Sequence, residues 1–275
     1  MHSPHLVIFT DLDGTLLDHD TFKWDAAAEA LHECERQKVP VVFCTSKTRV
    51  EVEVLRRLIG NSHPFISENG GGVFVPHGYF SHRIENAATV KTFHCIALAR
   101  PYAEIAQALE EIAEEAGVEV VGFHQMRVKE IAENSGLRLK DAELARLRDF
   151  DEPFFFAGTN PKDEQRFVAL AHKRKLEVTK GSRFWHLHGG SDKGRAMREL
   201  LKQYRWNRHT KIRAVGLGDA ANDIPMLKEV DQAYLVAKPD GTHDETVLAR
   251  VPRITRVDAS GPEGWNGAVL NLLRS

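Results

Sequence analysis

Apolar positions along the chain form two kinds of pattern, short continuous runs and stretches with helical spacing. The run "LVIF" at residues 6–9 precedes residues 24–31, in which apolar side chains recur three or four positions apart. A second run lies in "VPVVFCTS" at residues 39–46. Short apolar runs are typical of buried strands, and apolar residues three or four positions apart, as in residues 24–31, are typical of a helix. The beginning of the chain therefore predicts a strand, a helix and a second strand.

The C-terminal part repeats this alternation. A helix is predicted from about Lys193 to Tyr204, followed by the strand "IRAVGLG" at residues 212–218, a short helix over "DIPMLKEV" and the strand "QAYLVA". Strands that alternate with helices predict an α/β fold with a doubly wound, Rossmann-like parallel sheet.

The middle of the chain differs from both ends. "TVKTFHCIAL" predicts a strand, "YAEIAQALEEIAEEAG" an amphipathic helix, and "VEVVGF", "EPFFFAG" and "RFWHL" further strands. The charge-rich stretch "DAELARLRDFDEP" at residues 141–153 predicts a solvated face. We expect an inserted α+β domain at residues 85–187 and a core domain made of residues 1–84 and 188–275.

Composition adds limits on partners. The 37 basic and 39 acidic residues give a net charge of -2, which provides no general attraction for nucleic acid or a membrane surface. No apolar run approaches the roughly 20 residues that span a bilayer, and the N-terminus lacks the features of a signal peptide. The three cysteines lie among apolar residues, which favours reduced structural thiols. We expect a cytoplasmic protein with no nucleic-acid or membrane partner.

Four polar segments each fall at the end of a predicted strand or the start of a helix. Asp11 and Asp13 end the first strand, and their charges repel unless one carries a proton or a cation lies between them. The other segments are "CTSKTR" at 44–49, "GGSDKG" at 189–194 and "GLGDAANDIPML" at 216–227. Because open α/β sheets bind ligands at the carboxyl ends of their strands, we expect one common site.

Together these segments supply what phosphoryl transfer requires. Asp11 can attack phosphorus to give an aspartyl-phosphate, and Asp13 can protonate the leaving alkoxide and then activate water. Oxygen ligands from Asp11 and Asp219, with the backbone carbonyl of Asp13, suit Mg²⁺. Thr45 offers a hydroxyl and Lys193 a positive charge to the transferring group.

The order DxDGT, Thr or Ser after the second strand, Lys, and GDxxND resembles the haloacid dehalogenase superfamily of phosphatases. The long insertion resembles its C2-type cap. Within that superfamily, the segments similar to the mannosyl-3-phosphoglycerate phosphatases are "TSKTRVEVEVLRRLIG", "PFISENGGGVFVP", "RLRDFDEPF", "GSRFWHLHGGSDKG" and "GPEGW".

This resemblance implies Mg²⁺-dependent hydrolysis of mannosyl-3-phosphoglycerate, a small phosphorylated sugar-glycerate, to mannosylglycerate and phosphate. It also implies that Asn222 and Asp223 support the metal and Lys193. Asp223 either binds the metal directly or contacts a residue that does. Ser46 could replace Thr45 in contacting the phosphate.

Five residues are candidates for binding the organic part of this substrate. Lys47 and Arg49 could bind its carboxylate, although both also suit an exposed first helical turn. Asn69 precedes three consecutive glycines, which let backbone approach a ligand closely or permit a hairpin. Arg183 and His186 are the candidates from the inserted domain, and a structural role explains His186 equally well.

Two other functions remain open. One is a broader sugar-phosphate or glucosyl-3-phosphoglycerate phosphatase, because epimeric sugars differ by one hydroxyl orientation that no motif reports. The other is a non-catalytic phosphosugar-binding protein, which is disfavoured because Asp11, Asp13 and Asp219 are all present.

Overall fold

A computed structural model describes residues 5–158, 160–180, 184–208 and 211–274. The strands are β1 (His5–Thr10), β2 (Val41–Cys44), β3 (Phe65–Ser67), β4 (Gly72–Pro76), β5 (Ala88–Val90), β6 (Phe93–Ala97), β7 (Val120–Gly122), β8 (Asp151–Phe156), β9 (Glu177–Lys180), β10 (Trp185–His188), β11 (Ile212–Gly218), β12 (Gln232–Ala237) and β13 (Ile254–Ser260).

The α-helices are α1 (Ala28–Arg36), α2 (Arg49–Ile59), α3 (Tyr102–Ala116), α4 (Val128–Ser135), α5 (Leu139–Ala145), α6 (Pro161–Lys173), α7 (Lys193–Arg208), α8 (Ile224–Leu227), α9 (Glu245–Arg250) and α10 (Gly261–Arg274). Single turns of 3-10 helix lie at Asp25–Ala27, Glu68–Gly70 and Ala221–Asp223. None of the described helices combines the length and apolar composition needed to cross a bilayer.

The larger of the two sheets in the described chain has the strand order β13-β12-β11-β1-β2-β3-β4-β6-β5. The strands from β13 to β3 are parallel, and β4, β6 and β5 continue the sheet in antiparallel pairs. In the register of the central strand, Phe9 lies opposite Gly216 of β11 and Val42 of β2. This architecture confirms the predicted doubly wound α/β core.

Helices cover both faces of this sheet. Ile8 of β1 packs in a cluster with α1 and α10, whereas Val7 and Phe9 pack in a second cluster with α7, α8 and α9. Side chains alternate along a strand, so a strand covered on both faces buries consecutive residues. This is why β1 and β2 are recognisable in the sequence as continuous apolar runs.

The smaller sheet pairs β7, β8, β10 and β9 in antiparallel order and packs against α3 and α6. The predicted start of the insertion at residue 85 needs correction, because β5 and β6 belong to the large sheet. Phe93 and Cys95 of β6 are buried in the same cluster as Phe65 and Phe74. We propose residues 98–188 as the inserted unit, which we call the cap.

One core side chain, Glu68, holds the cap through three backbone hydrogen bonds. Glu68 has φ +49° and is fully buried. Its carboxylate accepts hydrogen bonds from the backbone N–H groups of Asp149, Phe150 and Asp151, at 2.8, 2.7 and 2.9 Å. A buried carboxylate is stable only when its oxygens are satisfied in this way.

Arg148 completes this junction. Its guanidinium is nearly buried, pairs with the Asp151 carboxylate, lies 3.7 Å from Glu68, and donates to the backbone carbonyl of Ser46 at 3.2 Å. Asp151 also contacts Nδ1 of His186 at 2.8 Å. The prediction of a solvated face for residues 141–153 is therefore wrong at this point. The charges of Arg148 and Asp151 in this stretch are buried, because they lie against Glu68.

Replacing Glu68 with Gln should loosen the cap. Glu68→Gln keeps the shape but turns an amide N–H₂ toward backbone donors, so about 2 kcal/mol of unfolding free energy should be lost. Hydrogen exchange at the amides of Asp149 to Asp151 should accelerate. The control Glu33→Gln, on the exposed Glu33–Arg36 pair, should leave the unfolding midpoint unchanged. Unchanged exchange at these amides in Glu68→Gln would contradict this role.

Candidate active site

The ends of neighbouring strands bring the predicted site residues together. Asp11 follows β1, Thr45 follows β2 and Asp219 follows β11, and these three strands are adjacent in the sheet. Lys193, at the first position of α7, reaches the same edge. The structure thus brings the four segments together at one edge of the sheet.

Lys193 lies at the centre of this site. Its side chain is 1 % exposed, and Nζ lies 2.7 Å from Oδ1 of Asp11 and 2.6 Å from Oδ1 of Asp223. Burial lowers the pKa of Lys193, but the carboxylates of Asp11 and Asp223 outweigh this and hold it above its usual value. The ammonium therefore stays charged beside Asp11.

Three carboxylates converge beside the ammonium. Asp11, Asp219 and Asp223 each offer an oxygen within 4.8 Å of the others. Burial, and then repulsion from Asp223, raise the pKa of Asp11 well above its usual range, although Lys193 opposes the shift. The same two causes raise the pKa of Asp219 to about 7. Crowded, hard oxygen donors of this kind fit Mg²⁺, whose charge would relieve the repulsion.

The contacts of Asp223 favour a supporting role over direct ligation. Oδ1 accepts from Lys193, and Oδ2 accepts from the backbone N–H groups of Asp219 and Ala220 at 3.1 and 3.3 Å. Both oxygens are thus engaged within the protein. Asp223 orients Lys193 and the start of the Asp219 loop, which leaves Asp11 and Asp219 as the carboxylates most open to a cation.

The turn after β1 fits closely around Asp219. Oγ1 of Thr15 donates to Oδ1 of Asp219 at 3.0 Å. Gly14 has φ +78°, and a Cβ there would lie 2.7 Å from Oδ2 of Asp219. Only glycine fits both this conformation and this space. The DxDGT segment is therefore required for the shape of the site as well as for its charges.

Asp13 occupies a different environment from Asp11. Its side chain is 35 % exposed, and Nζ of Lys47 lies 2.9 Å from its Oδ1. Asp11 and Asp13 would point to the same side only if the strand continued through both, but β1 ends at Thr10. The chain turns after Asp11, with the carbonyl of Leu12 accepting from the N–H groups of Thr15 and Leu17. The Asp13 carboxylate thereby lies outside the acidic cluster, although its backbone carbonyl stays a predicted ligand.

The loop after β2 and the first residue of α2 supply four predicted residues, Thr45, Ser46, Lys47 and Arg49. Thr45 is buried, and its Oγ1 accepts from the N–H of Lys47 at 3.1 Å, so its own hydroxyl hydrogen can point elsewhere. Ser46 is held through its carbonyl by Arg148. Arg49 pairs with Glu53 and, at 3.0 Å, with Asp149 of the cap. Arg49 thus contacts two protein carboxylates.

The remaining predicted residues lie around this edge or outside the described chain. Nδ2 of Asn222 contacts Oδ1 of Asn69 at 3.5 Å, which brings the loops after β3 and β11 together. His186 is 19 % exposed and anchored to Asp151. Arg183 lies outside the described residues. The substrate roles of these residues stay predictions.

Two structural supports were missed from the sequence. Trp265 is fully buried, and its Nε1–H donates to Oγ1 of Thr10 at 3.0 Å, which in turn donates to the carbonyl of Asp11 at 2.7 Å. Gly70 packs so tightly on the start of α7 that a Cβ would lie 2.2 Å from the carbonyl oxygen of Asp192. "GPEGW" and the glycine run were visible signals, but neither reveals its partner.

Comparisons with known proteins agree with this geometry. The haloacid dehalogenase-like hydrolase family matches residues 8–240. A glucosyl-3-phosphoglycerate/mannosyl-3-phosphoglycerate phosphatase from Methanococcoides burtonii is 40% identical over 270 residues, 97% of each chain. A relative of the same name from Persephonella marina is 39% identical over 270 residues, 98% of this chain and 97% of that one.

A solved structure supports the fold. A phosphatase of the haloalkanoate (HAD) enzyme superfamily from Bacteroides thetaiotaomicron has a TM-score of 0.69 at 18% identity, covering 98% of this chain and 96% of its own. At that identity the likeness concerns the fold alone. The family match covers most of the chain and confirms the resemblance inferred from the order of the motifs. This chain belongs to the haloacid dehalogenase-like hydrolases.

Proposed function

We propose that this chain is a Mg²⁺-dependent phosphatase that hydrolyses glucosyl-3-phosphoglycerate and mannosyl-3-phosphoglycerate. The observation that carries the proposal is the buried contact of Lys193 with Asp11 and Asp223, beside Asp219. The substrate follows from the near full-length similarity to two relatives that bear both substrate names. A cytoplasmic location belongs to the proposal, because Cys34, Cys44 and Cys95 are buried and free of disulfides.

Asp11 is the nucleophile in this proposal. Lys193 contacts Oδ1 of Asp11, which leaves Oδ2 to attack phosphorus. As the new oxygen–phosphorus bond forms, the bond to the leaving oxygen breaks, and Asp13 gives its proton to the leaving alkoxide. Water then attacks the phosphorus of the aspartyl-phosphate and gives a proton back to Asp13. Inorganic phosphate leaves and the Asp11 carboxylate is restored.

The surrounding groups supply charge and orientation. Asp11, Asp219 and the backbone carbonyl of Asp13 would hold Mg²⁺, which when bound neutralises charge on the phosphoryl oxygens. The Thr45 hydroxyl and the Lys193 ammonium would stabilise the same oxygens.

Lys47 is suited to the carboxylate of the substrate. Its ammonium lies 2.9 Å from Asp13, the group that serves the leaving oxygen. In a 3-phosphoglycerate ester, only three covalent bonds separate that oxygen from the carboxylate carbon. An ammonium beside Asp13 can therefore bind this carboxylate. We assign Arg49, which faces Glu53 and Asp149, to holding the cap against α2.

Phosphate release from a substrate panel tests this function. The panel holds the glucosyl and mannosyl esters, 3-phosphoglycerate and simple hexose phosphates, each with and without Mg²⁺. The two glycosyl esters should be preferred over hexose phosphates by at least about tenfold in kcat/KM, and only with the metal. Asp11→Asn should abolish release while the protein stays folded.

Two results would count against the proposal in different ways. Equal rates on hexose phosphates would favour a broader sugar phosphatase. If no ester is hydrolysed by the wild type and both it and Asp11→Asn only bind, a phosphosugar-binding protein is favoured instead.

Mg²⁺ binding should release a proton and strengthen with pH. The pKa of Asp219 is raised to about 7, so without metal the folded protein holds this proton below that pH. A metal ligand must be deprotonated, so affinity should rise as the pH increases through the pKa of Asp219, and the raised pKa of Asp11 should extend this rise. Calorimetry in buffers of different ionisation enthalpy measures both effects. Equal affinity at about pH 6 and pH 8 would contradict this assignment.

A further inference from the structure

The loop after β1 presents an aromatic ring from an unusual backbone conformation. Phe22 has φ +56° and is 41% exposed. Bulky residues rarely adopt this left-handed conformation, which suits glycine or asparagine. Such outliers persist only where the surrounding structure holds them, and they cluster at functional sites. An exposed aromatic side chain held in this way needs an explanation.

Hydrogen bonds from Asp18 fix the loop. One carboxylate oxygen of Asp18 accepts from the backbone N–H of Asp20 and from both the N–H and the hydroxyl of Thr21, at 3.3, 2.8 and 2.6 Å. The Asp18 carbonyl accepts from the N–H of Phe22 at 3.0 Å, and the Asp18 N–H donates to the carbonyl of Lys23 at 2.8 Å. The conformation of Phe22 is therefore imposed by a built turn, which projects its ring outward.

The ring lies beside the predicted chemistry. Nζ of Lys47 is 5.0 Å from the centroid of the Phe22 ring and 2.9 Å from Oδ1 of Asp13. The ammonium thus has a carboxylate on one side and an aromatic face on the other. Through Lys47, Phe22 lies near Asp13, the group that serves the leaving oxygen in the proposed function.

We propose that Phe22 is a specificity-determining residue whose ring forms a platform for the glycosyl group of the substrate, an inference that rests on the proposed function. Lys47 binds the glycerate carboxylate. The one free hydroxyl of 3-phosphoglycerate is on the carbon between carboxylate and phosphate ester, so a glycosyl group attached there projects past Lys47. Its C–H face packs on the exposed ring.

The chemistry of phenylalanine limits what this platform can distinguish. Its ring has no hydrogen-bonding group, so it can pack against a sugar but cannot distinguish the orientation of one hydroxyl. The platform therefore accepts glucosyl and mannosyl groups alike. Discrimination against the unglycosylated ester is its expected contribution.

Phe22→Gly separates the ring from the turn that holds it. Glycine adopts positive φ readily, so the melting temperature should stay the same or rise. For both glycosyl esters kcat/KM should fall about tenfold, and for 3-phosphoglycerate and p-nitrophenyl phosphate it should change less than about twofold. Phe22→Tyr should restore the glycosyl esters to within about threefold of wild type. The control Trp206→Ala removes another exposed aromatic ring, 68% exposed on α7, and should change none of these rates.

The outcomes separate the platform from the proposed function. The kcat/KM values of the wild type on the different esters test the proposed function. The ratio of each variant's kcat/KM to that of the wild type, ester by ester, tests the role of Phe22. An equal loss on all esters in Phe22→Gly would assign the effect to the loop backbone and overturn the platform. No loss on the glycosyl esters would overturn it as well.

Discussion

The geometry of the site depends on the buried ion pairs that the ammonium of Lys193 makes with Asp11 and Asp223. An unpaired charge at this depth would cost several kcal/mol, so the fold supplies the carboxylates of Asp11 and Asp223. Asp223 in turn fixes the backbone at Asp219. One ion-pair network therefore sets the nucleophile, the positive charge beside it and a metal-ligand candidate, although these come from three separate stretches of sequence.

The same edge of the sheet also positions the cap. Glu68 binds the cap backbone, and two residues later Gly70 packs on the start of α7, directly before Lys193. Arg148 of the cap donates to the carbonyl of Ser46, so a shift of the cap would displace the loop after β2 as well as the start of α7, which carries Lys193. Core residues supply the chemistry, and in our proposal Lys47 and Phe22 contact the organic half of the substrate.

The sequence predicts the positions of Asp11 and Lys193 well, because parallel strands end at one edge and the motifs mark those ends. It cannot predict the burial of Arg148 and Asp151. Their partner Glu68 lies about eighty residues away, and no local pattern distinguishes a charge that meets it from a solvated one. The start of the insertion was predicted too early for the same reason. β6 joins the large sheet by pairing with β4, and no local pattern shows that pairing.

The central claim, that Asp11 carries the phosphoryl group, is tested most directly by the stereochemistry at phosphorus. A thiophosphoryl substrate ester, made chiral at phosphorus with two oxygen isotopes, would be hydrolysed in water enriched in the third isotope, and the configuration of the released inorganic thiophosphate would be determined. Each in-line displacement inverts phosphorus. Attack by Asp11 followed by attack of water predicts overall retention. Inversion would mean that water attacks the ester directly, and would contradict the account.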